Sequence, residues 1–368
     1  MPTTSGESHT HYFRAELSAL KQQIDRDIDG YWLGALPAVG HEYGPMSQRV
    51  MSEFADMMRR GGKRIRGALA AHAYRLFGGQ DDDVALAAAR LIEMMNAYIL
   101  VIDDVIDRSE LRRGAPTTHR RLRDWHRQAG WHGQSDRFGD NQAILAAMTG
   151  AHQAMLEIGR LNVPADLRLA ALDNLNHLLV VTCHGQINDV SNEAVGTNDR
   201  QLVEHVLLWK TAYYTFANPL QFGALLAGAS QAALDQLFAY SLKAGRAFQL
   251  SDDIIGIYGD EAATGKSPLD DMKEGKRTLL IVQALEQASQ PDAVFLERML
   301  GNHDLTMAEL ERCRQIIRRS GALAYAQAEV RRSVRAAQSA LQDGVLPVDA
   351  PAVQFLHGLA AYLTSREA

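Results

Sequence analysis

The segment Asp103-Asp104-Val105-Ile106-Asp107 sets three carboxylates at the end of an otherwise apolar stretch. At helical spacing Asp103 and Asp107 are i, i+4, and Asp104 and Asp107 are i, i+3, so the three converge on one face. A helix C-terminus already carries partial negative charge, which makes three acids there mutually unfavourable. A divalent cation resolves that conflict. Oxygen-only ligands select Mg²⁺, which binds through one or two carboxylates together with substrate phosphates. A second acidic pair, Asp252-Asp253, closes another apolar stretch, with Gln249 three and four residues before it on the same face. Two buried-type helices that each end in paired aspartates point to a polar cavity holding several metal ions.

Basic residues supply the counterpart. Gly61-Gly62-Lys63-Arg64-Ile65-Arg66 puts three cations in four residues, and Arg112-Arg113-Gly114 follows the first acidic motif after a short turn. Lys210 and Tyr214 are i, i+4 on an apolar stretch beside Thr211, and Lys266, Lys276 and Arg277 follow the second acidic pair. Cations spent beside aspartate clusters suit a polyanion held jointly by metal and by Arg/Lys, and a diphosphate is the natural candidate. A P-loop reading of Gly265-Lys266-Ser267 fails, because Gly259 lies one residue too far upstream and no strand precedes it. His119, His126 and His132 sit in a hydrophilic stretch with no cysteine or H-x₃-H spacing, and are expected to be solvated rather than metal ligands.

Such groups need rigid elements to aim them, and the pattern is helical nearly throughout: Ala, Leu, Gln, Glu and Arg dominate, and β-branched runs are short. Residues 83–102 are apolar on almost every face and predict a buried central helix, with 173–190, 203–229 and 233–258 of the same kind. Surface helices are expected at 306–320 and 322–342, and loops at 109–118, 126–141, 192–199 and 259–276. Residues 1–10 are small and polar and are expected to be disordered; 11–368 read as one all-α domain. With 38 Lys plus Arg against 44 Asp plus Glu, the net charge is −6. That excludes a broadly basic nucleic-acid or anionic-membrane surface. Two cysteines without a CxxC pair exclude a disulfide framework and a cysteine-rich zinc site. No uncharged apolar run reaches membrane-span length and the first residues lack a signal-peptide core, so a cytoplasmic protein is expected.

In order along the chain, these motifs resemble those of the trans-isoprenyl diphosphate synthases, the polyprenyl synthetase family. The similarity covers roughly residues 55–285. It is carried by GGKRIRG, DDVID followed by RRG, GQIND (Gly185 to Asp189), KTAYYT, and FQLSDD followed by GK and EGKRT. The resemblance implies a single helical bundle of the isoprenoid synthase type around a central cavity, working as a cytoplasmic homodimer. It implies Mg²⁺, three ions with Mn²⁺ able to substitute, held by Asp103, Asp107 and Asp252, with Asp104 and Asp253 beside them. Arg112, Lys210 and Lys266 would contact an allylic diphosphate, and Lys63, Arg66 and Arg113 the diphosphate of isopentenyl diphosphate. Gln186, Asp189, Thr211, Tyr214, Gln249 and Lys276 would line the same cavity.

The implied reaction follows from those charges. Metal and cations stabilise the departing diphosphate, the allylic C–O bond ionises, and the double bond of isopentenyl diphosphate attacks the cation. A proton is then lost to the released diphosphate. Carbonyl and hydroxyl dipoles near Lys210, Thr211 and Gln249 would stabilise the cation, and apolar walls would exclude water. Three positions depart from the family pattern: Gly256 replaces a third Asp of the second motif, Asn96 stands where His or Gln is usual near the isopentenyl group, and Ala147-Met148 replaces a frequent Gly-Asp. The first puts one outer ligand in doubt, so Gly256→Asp is expected to change activity little; the second implies weaker isopentenyl diphosphate binding. Tyr98 lies five residues before Asp103, ~7.5 Å along a helix axis, with Met94, Met95 and Leu91 beyond it and Ile99 beside it. An aromatic there resembles synthases making C20 geranylgeranyl diphosphate, with C15 farnesyl diphosphate the alternative. A class I terpene cyclase or a non-catalytic partner subunit are the readings from other classes; the retained Lys63, Arg66 and Arg113 argue against the first, and the loss of no acid or arginine but the Asp at position 256 against the second.

Overall fold

The computed structural model describes residues 4–259, 267–342 and 344–364. As expected, the architecture is all-helical: the described residues contain two short strands only, β1 (Leu111–Arg112) and β2 (Ala115–Pro116). They form an antiparallel hairpin, pairing Leu111 with Pro116 and Arg112 with Ala115, where the sequence predicted a plain loop. Arg113 at φ 55 and Gly114 at φ 72 form its turn. Two successive left-handed residues match the right-handed twist of flanking strands, which closes a two-residue hairpin. Chain density divides the protein into two compact units, neither of them continuous in sequence.

One unit comprises Ala15–Asp173 and Phe222–Gly228 and carries the first acidic motif. It contains most of α1 (Thr4–Tyr43), then α2 (Pro45–Arg59), α3 (Ile65–Leu76), α4 (Asp82–Ile106), α5 (Thr118–Gln128) and α6 (Ser135–Ile158). Helix α4 is the predicted central helix. The Asp81 side chain starts it by accepting hydrogen bonds from the amides of Asp83 and Val84, two of the donors that a helix start leaves unsatisfied. Its length and composition would let it cross a membrane. Here Leu91, Met94, Met95 and Val101 are instead buried among α3 and α6. Of its two buried charges, Glu93 is matched by Arg64 and Asp104 by Arg112. His119 and His126 contradict the expectation of solvated histidines, since both are buried. Burial, then the nearby Arg120, lowers the His119 pKa to about 4. His126 packs on Trp131 and Phe138, with Nε2 3.0 Å from the His132 carbonyl; α5 has few aliphatic residues, so imidazoles complete its inner face. His132 alone is exposed.

The other unit comprises Met1–Arg14, Asn174–Gln221 and Ala229–Ala368 and carries the second acidic motif. Helix α7 (Ala165–Val195) enters it, followed by α8 (Arg200–Val206), a π-helical segment (Leu207–Ala217) and α9 (Asn218–Leu226). Then come α10 (Gln231–Tyr258), α11 (Asp270–Lys273), α12 (Leu279–Gln287), α13 (Gln290–Met299), α14 (Met307–Arg319), α15 (Ala322–Gln342) and α16 (Pro351–Thr364). Helix α10 is central, packed on the π segment and α15, and Tyr240 donates to the Leu356 carbonyl at 2.9 Å. Three expectations change here. The N-terminus is helical from Thr4 rather than disordered, because Phe13 docks between Phe355 and Tyr362. The stretch 203–229 is helical without a break to Leu226, as expected, but winds as a π-helix over Leu207–Ala217. Helix α7 is not buried all round: Val180, Ile187 and Val190 are exposed.

Candidate active site

The functional groups fall into two sets, one in each unit. In the first, α4 presents Asp103, Asp104 and Asp107 in its last turn, and the β1–β2 hairpin returns Arg112 to them. The Arg112 Nε donates to Asp104 Oδ1 at 2.7 Å, Nη2 bonds the same oxygen, and Nη2 lies 3.5 Å from Asp103 Oδ2. Burial works against the guanidinium, but Asp104, Asp103 and Asp107 together hold its pKa above the usual value. Asp104 is 1% exposed, whereas Asp103 and Asp107 are half-buried. Arg112, expected on substrate, thus answers part of the acid repulsion itself.

The Gly61–Arg66 loop lies in the same unit. Arg113 sits over it, so that a side chain on Gly62 would meet the Arg113 guanidinium at 3.0 Å, and Arg113 Nη1 donates to the Met57 carbonyl at 3.1 Å. Lys63 and Arg66 flank Arg64, whose side chain is spent inward on Asp25, Glu93 and the Met58 carbonyl. The sequence missed that role: Arg64 was one of three cations in a loop, and its partners lie 39 and 29 residues away. Arg64, Arg108 and Arg113 all adopt left-handed backbone, at φ 54, 52 and 55, and such conformations in non-glycine residues collect at functional sites. Along α4, Asn96, Met94 and Met95 are buried, and Tyr98 and Ile99 are half-buried.

In the second set, the π segment carries Lys210, Thr211 and Tyr214. Lys210 Nζ donates to Asp189 Oδ2 on α7 at 2.6 Å. Thr211 Oγ1 donates to Gln249 Oε1 at 2.6 Å, and Gln249 Nε2 donates to Asp253 Oδ1 at 2.7 Å. Both neighbours approach the segment at glycines: a Cβ on Gly185 would stand 2.5 Å from the Lys210 amide nitrogen, and one on Gly245 would overlap Ala212. Close backbone approach of this kind admits glycine alone. Wide π turns are frequent at functional sites, and no helical periodicity in the sequence signals this one. Gln186, one turn before Asp189, is half-buried.

Asp253 is buried, and burial, opposed by the Gln249 hydrogen bond and reinforced by Asp271, Asp252 and Asp189, pushes its pKa up to about 8. Asp271 was not anticipated; its signal was an Asp-Asp pair inside a stretch read as loop. Lys276 Nζ pairs with Glu274 and lies 3.5 Å from Asp271 Oδ1. Lys266 lies outside the described residues. Each set is therefore rich in carboxylate oxygens, which fits Mg²⁺. Among the described residues no three His, Cys, Asp or Glu side chains close into a preformed cage.

The polyprenyl synthetase family profile matches residues 48–317. A geranylfarnesyl diphosphate synthase of Aeropyrum pernix is 30% identical over 322 residues, covering 86% of this chain and 94% of the relative. A (2E,6E)-farnesyl diphosphate synthase of Mycobacterium bovis is 32% identical over 315 residues, covering 83% of this chain and 80% of the relative. The crystal structure of a geranylgeranyl pyrophosphate synthase from Corynebacterium glutamicum, complexed with isoprenyl diphosphate and magnesium, is similar at TM-score 0.83 and 28% identity over 99% of each chain. The motifs, the all-helical fold and these relatives agree: the chain belongs to the polyprenyl synthetase family and is a prenyl-transferring isoprenyl diphosphate synthase.

Proposed function

We propose that this synthase condenses isopentenyl diphosphate head-to-tail with allylic diphosphates and stops at C20 geranylgeranyl diphosphate. Mg²⁺ supplies charge neutralisation at the departing diphosphate. Asp103, Asp107 and Asp252 are the carboxylates that would hold it; the reading takes three ions, with Mn²⁺ able to replace them. Lys63, Arg66 and Arg113 bind isopentenyl diphosphate, Arg112, Lys210 and Lys266 the allylic diphosphate, and Lys276 lines the same cavity. The Thr211–Gln249 pair turns oxygen dipoles toward the developing cation. No side chain in either set is poised as a general base, so the proton leaves with the released diphosphate.

The observation that carries the product length is the gradient of burial along α4. Tyr98 is half-buried, while Met94, Met95 and Leu91 behind it are buried. Residues 91, 94 and 98 share one helical face, so a growing tail on that face meets the tyrosine ring first and packed side chains next. The relatives' names, farnesyl, geranylgeranyl and geranylfarnesyl, bracket C20. The purified chain, incubated with Mg²⁺, isopentenyl diphosphate and each allylic primer, is expected to give C20 on chromatography. Tyr98→Ala is expected to lengthen products by one or more C5 units. Wild-type length from an active Tyr98→Ala variant overturns the assignment, and dominant C15 from the wild type makes the enzyme a farnesyl diphosphate synthase. Inactivity of the chain alone would favour a partner subunit. A cyclic hydrocarbon made without isopentenyl diphosphate would mark a cyclase.

The same reading takes a cytoplasmic homodimer. Leu145, Met148 and Leu156 are exposed at i, i+3 and i+11 along α6, and Val180, Ile187 and Val190 along α7. Apolar stripes of this extent mark interaction surfaces. Met148, one of the departures from the family pattern, adds to the stripe, and Ala147 beside it faces the core. Leu145→Glu combined with Leu156→Glu is expected to convert a dimer to a monomer by light scattering, with unchanged helical circular dichroism. A dimer of unchanged mass would place the interface elsewhere.

A further inference from the structure

The chain leaves α2 at Arg60, directly before the Gly61–Arg66 loop, and the Arg60 side chain is only 11% exposed. Its Nε donates to Asp56 Oδ2 at 2.7 Å, one turn earlier on α2, and its Nη1 donates to the Pro116 carbonyl at 2.8 Å. Pro116 ends β2 and is the cross-strand partner of Leu111. The opposite tie runs from the hairpin to the helix. Arg113, at the hairpin turn, donates from Nη1 to the Met57 carbonyl at 3.1 Å and lies against Gly62. Each element thus gives one carbonyl and one guanidinium to the other, and a charged donor strengthens both bonds. Asp56 is held in turn, with Arg121 Nη1 of α5 3.2 Å from the oxygen that Arg60 uses. Arg121 also pairs with the buried Glu53 of α2. Arg60 therefore bridges α2 and the hairpin through a planar fork, which a lysine cannot reproduce.

We propose that Arg60 is a positioning residue for isopentenyl diphosphate, bracing the hairpin against the end of α2 so that Arg113 keeps its place over the Gly61–Arg66 loop. This rests on the reading of Lys63, Arg66 and Arg113 as the groups that bind that substrate. Arg60 acts through Arg113 and does not itself touch substrate: Nε and Nη1 are committed to Asp56 and Pro116, and Nη2 is buried. Arg112, one residue before Arg113, has its own anchor in Asp104 and Asp103. The allylic diphosphate should therefore feel the loss of Arg60 less than isopentenyl diphosphate does. Charge and position predict opposite signs at Asp56. A carboxylate near the site of a polyanion repels it, so removing that charge alone tightens binding. Removing the brace weakens it.

The test uses two conservative variants of the full chain. Arg60→Lys keeps the charge but cannot span Asp56 and Pro116, and Asp56→Asn keeps the shape but loosens its hold on Arg60. Steady-state kinetics with Mg²⁺ gives kcat and KM for each substrate, calorimetry gives the Kd of isopentenyl diphosphate, and circular dichroism checks folding. Each variant is expected to raise KM and Kd for isopentenyl diphosphate by about 10-fold, since a small displacement of a binding group is costly. The allylic KM and kcat should change little. An Asp56→Asn variant that binds isopentenyl diphosphate as tightly as the wild type, or more tightly, overturns the proposal. So does an Arg60→Lys variant with wild-type KM. Both KM values rising together while kcat falls would mark general loosening of the fold, which overturns it as well. Arg113→Ala controls the underlying reading. An unchanged KM for isopentenyl diphosphate there overturns the assignment of that site, and the proposal with it; a raised KM beside unaffected Arg60 and Asp56 variants removes the proposal alone.

Discussion

Asp103→Ala and Asp252→Ala are each expected to leave a folded protein whose turnover falls by orders of magnitude. Metal bridging contributes several kcal/mol to leaving-group departure, and each 1.4 kcal/mol is about tenfold in rate. Folding should survive, because Asp103 is half-buried near the end of α4 and Asp252 near the end of α10, so neither substitution empties a core position. Asp104 is the instructive contrast. It is buried with Arg112 bonded to it, so Asp104→Ala strands a guanidinium and should lose stability as well as activity. Steady-state kinetics with Mg²⁺ and both substrates, beside circular dichroism, separates the two effects. Near-normal turnover in Asp103→Ala or Asp252→Ala would remove the two-motif reading.

The largest stability effect is expected at Arg64→Met. The Arg64 and Glu93 side chains are 1% and 3% exposed and 3.1 Å apart, and Glu93 Oε1 also accepts from the Gly67 amide at 3.0 Å. Removing the arginine leaves a buried carboxylate held by that amide, a situation that costs about 3–5 kcal/mol. Replacing both partners, as Arg64→Met with Glu93→Met, should recover much of the loss, since a buried pair is often no better than apolar residues of similar volume. Denaturant midpoints check both. A cost under about 1 kcal/mol for the single variant would show that the Gly67 amide and water suffice to hold Glu93. The arginine is also the anchor between Lys63 and Arg66, so the single variant should raise KM for isopentenyl diphosphate and leave product length unchanged.

Local pattern sufficed for the elements that carry the acids. The apolar run before Asp103 is a helix because its residues favour one and Asp81 caps it, and the spacing of Asp103 and Asp107 follows from 3.6 residues per turn. The order of the five motifs, and with it the family, is likewise a property of the chain alone. What the sequence leaves open is which groups meet. Arg64 read as one surface cation among three, yet tertiary packing buried it against Glu93 and Asp25. His119 and His126 read as solvated, yet they fill the inner face of a helix poor in aliphatic residues. Thr211 and Gln249 lie 38 residues apart, and only the π turns between Gly185 and Gly245 bring their oxygens together. Asp271 looked like a loop acid until α11 packed on α10 and set its carboxylate beside Gly256. Periodicity records how each helix presents its own faces. It carries no information about what arrives on those faces from distant parts of the chain, and there burial, close backbone approach and charge pairing decide the outcome.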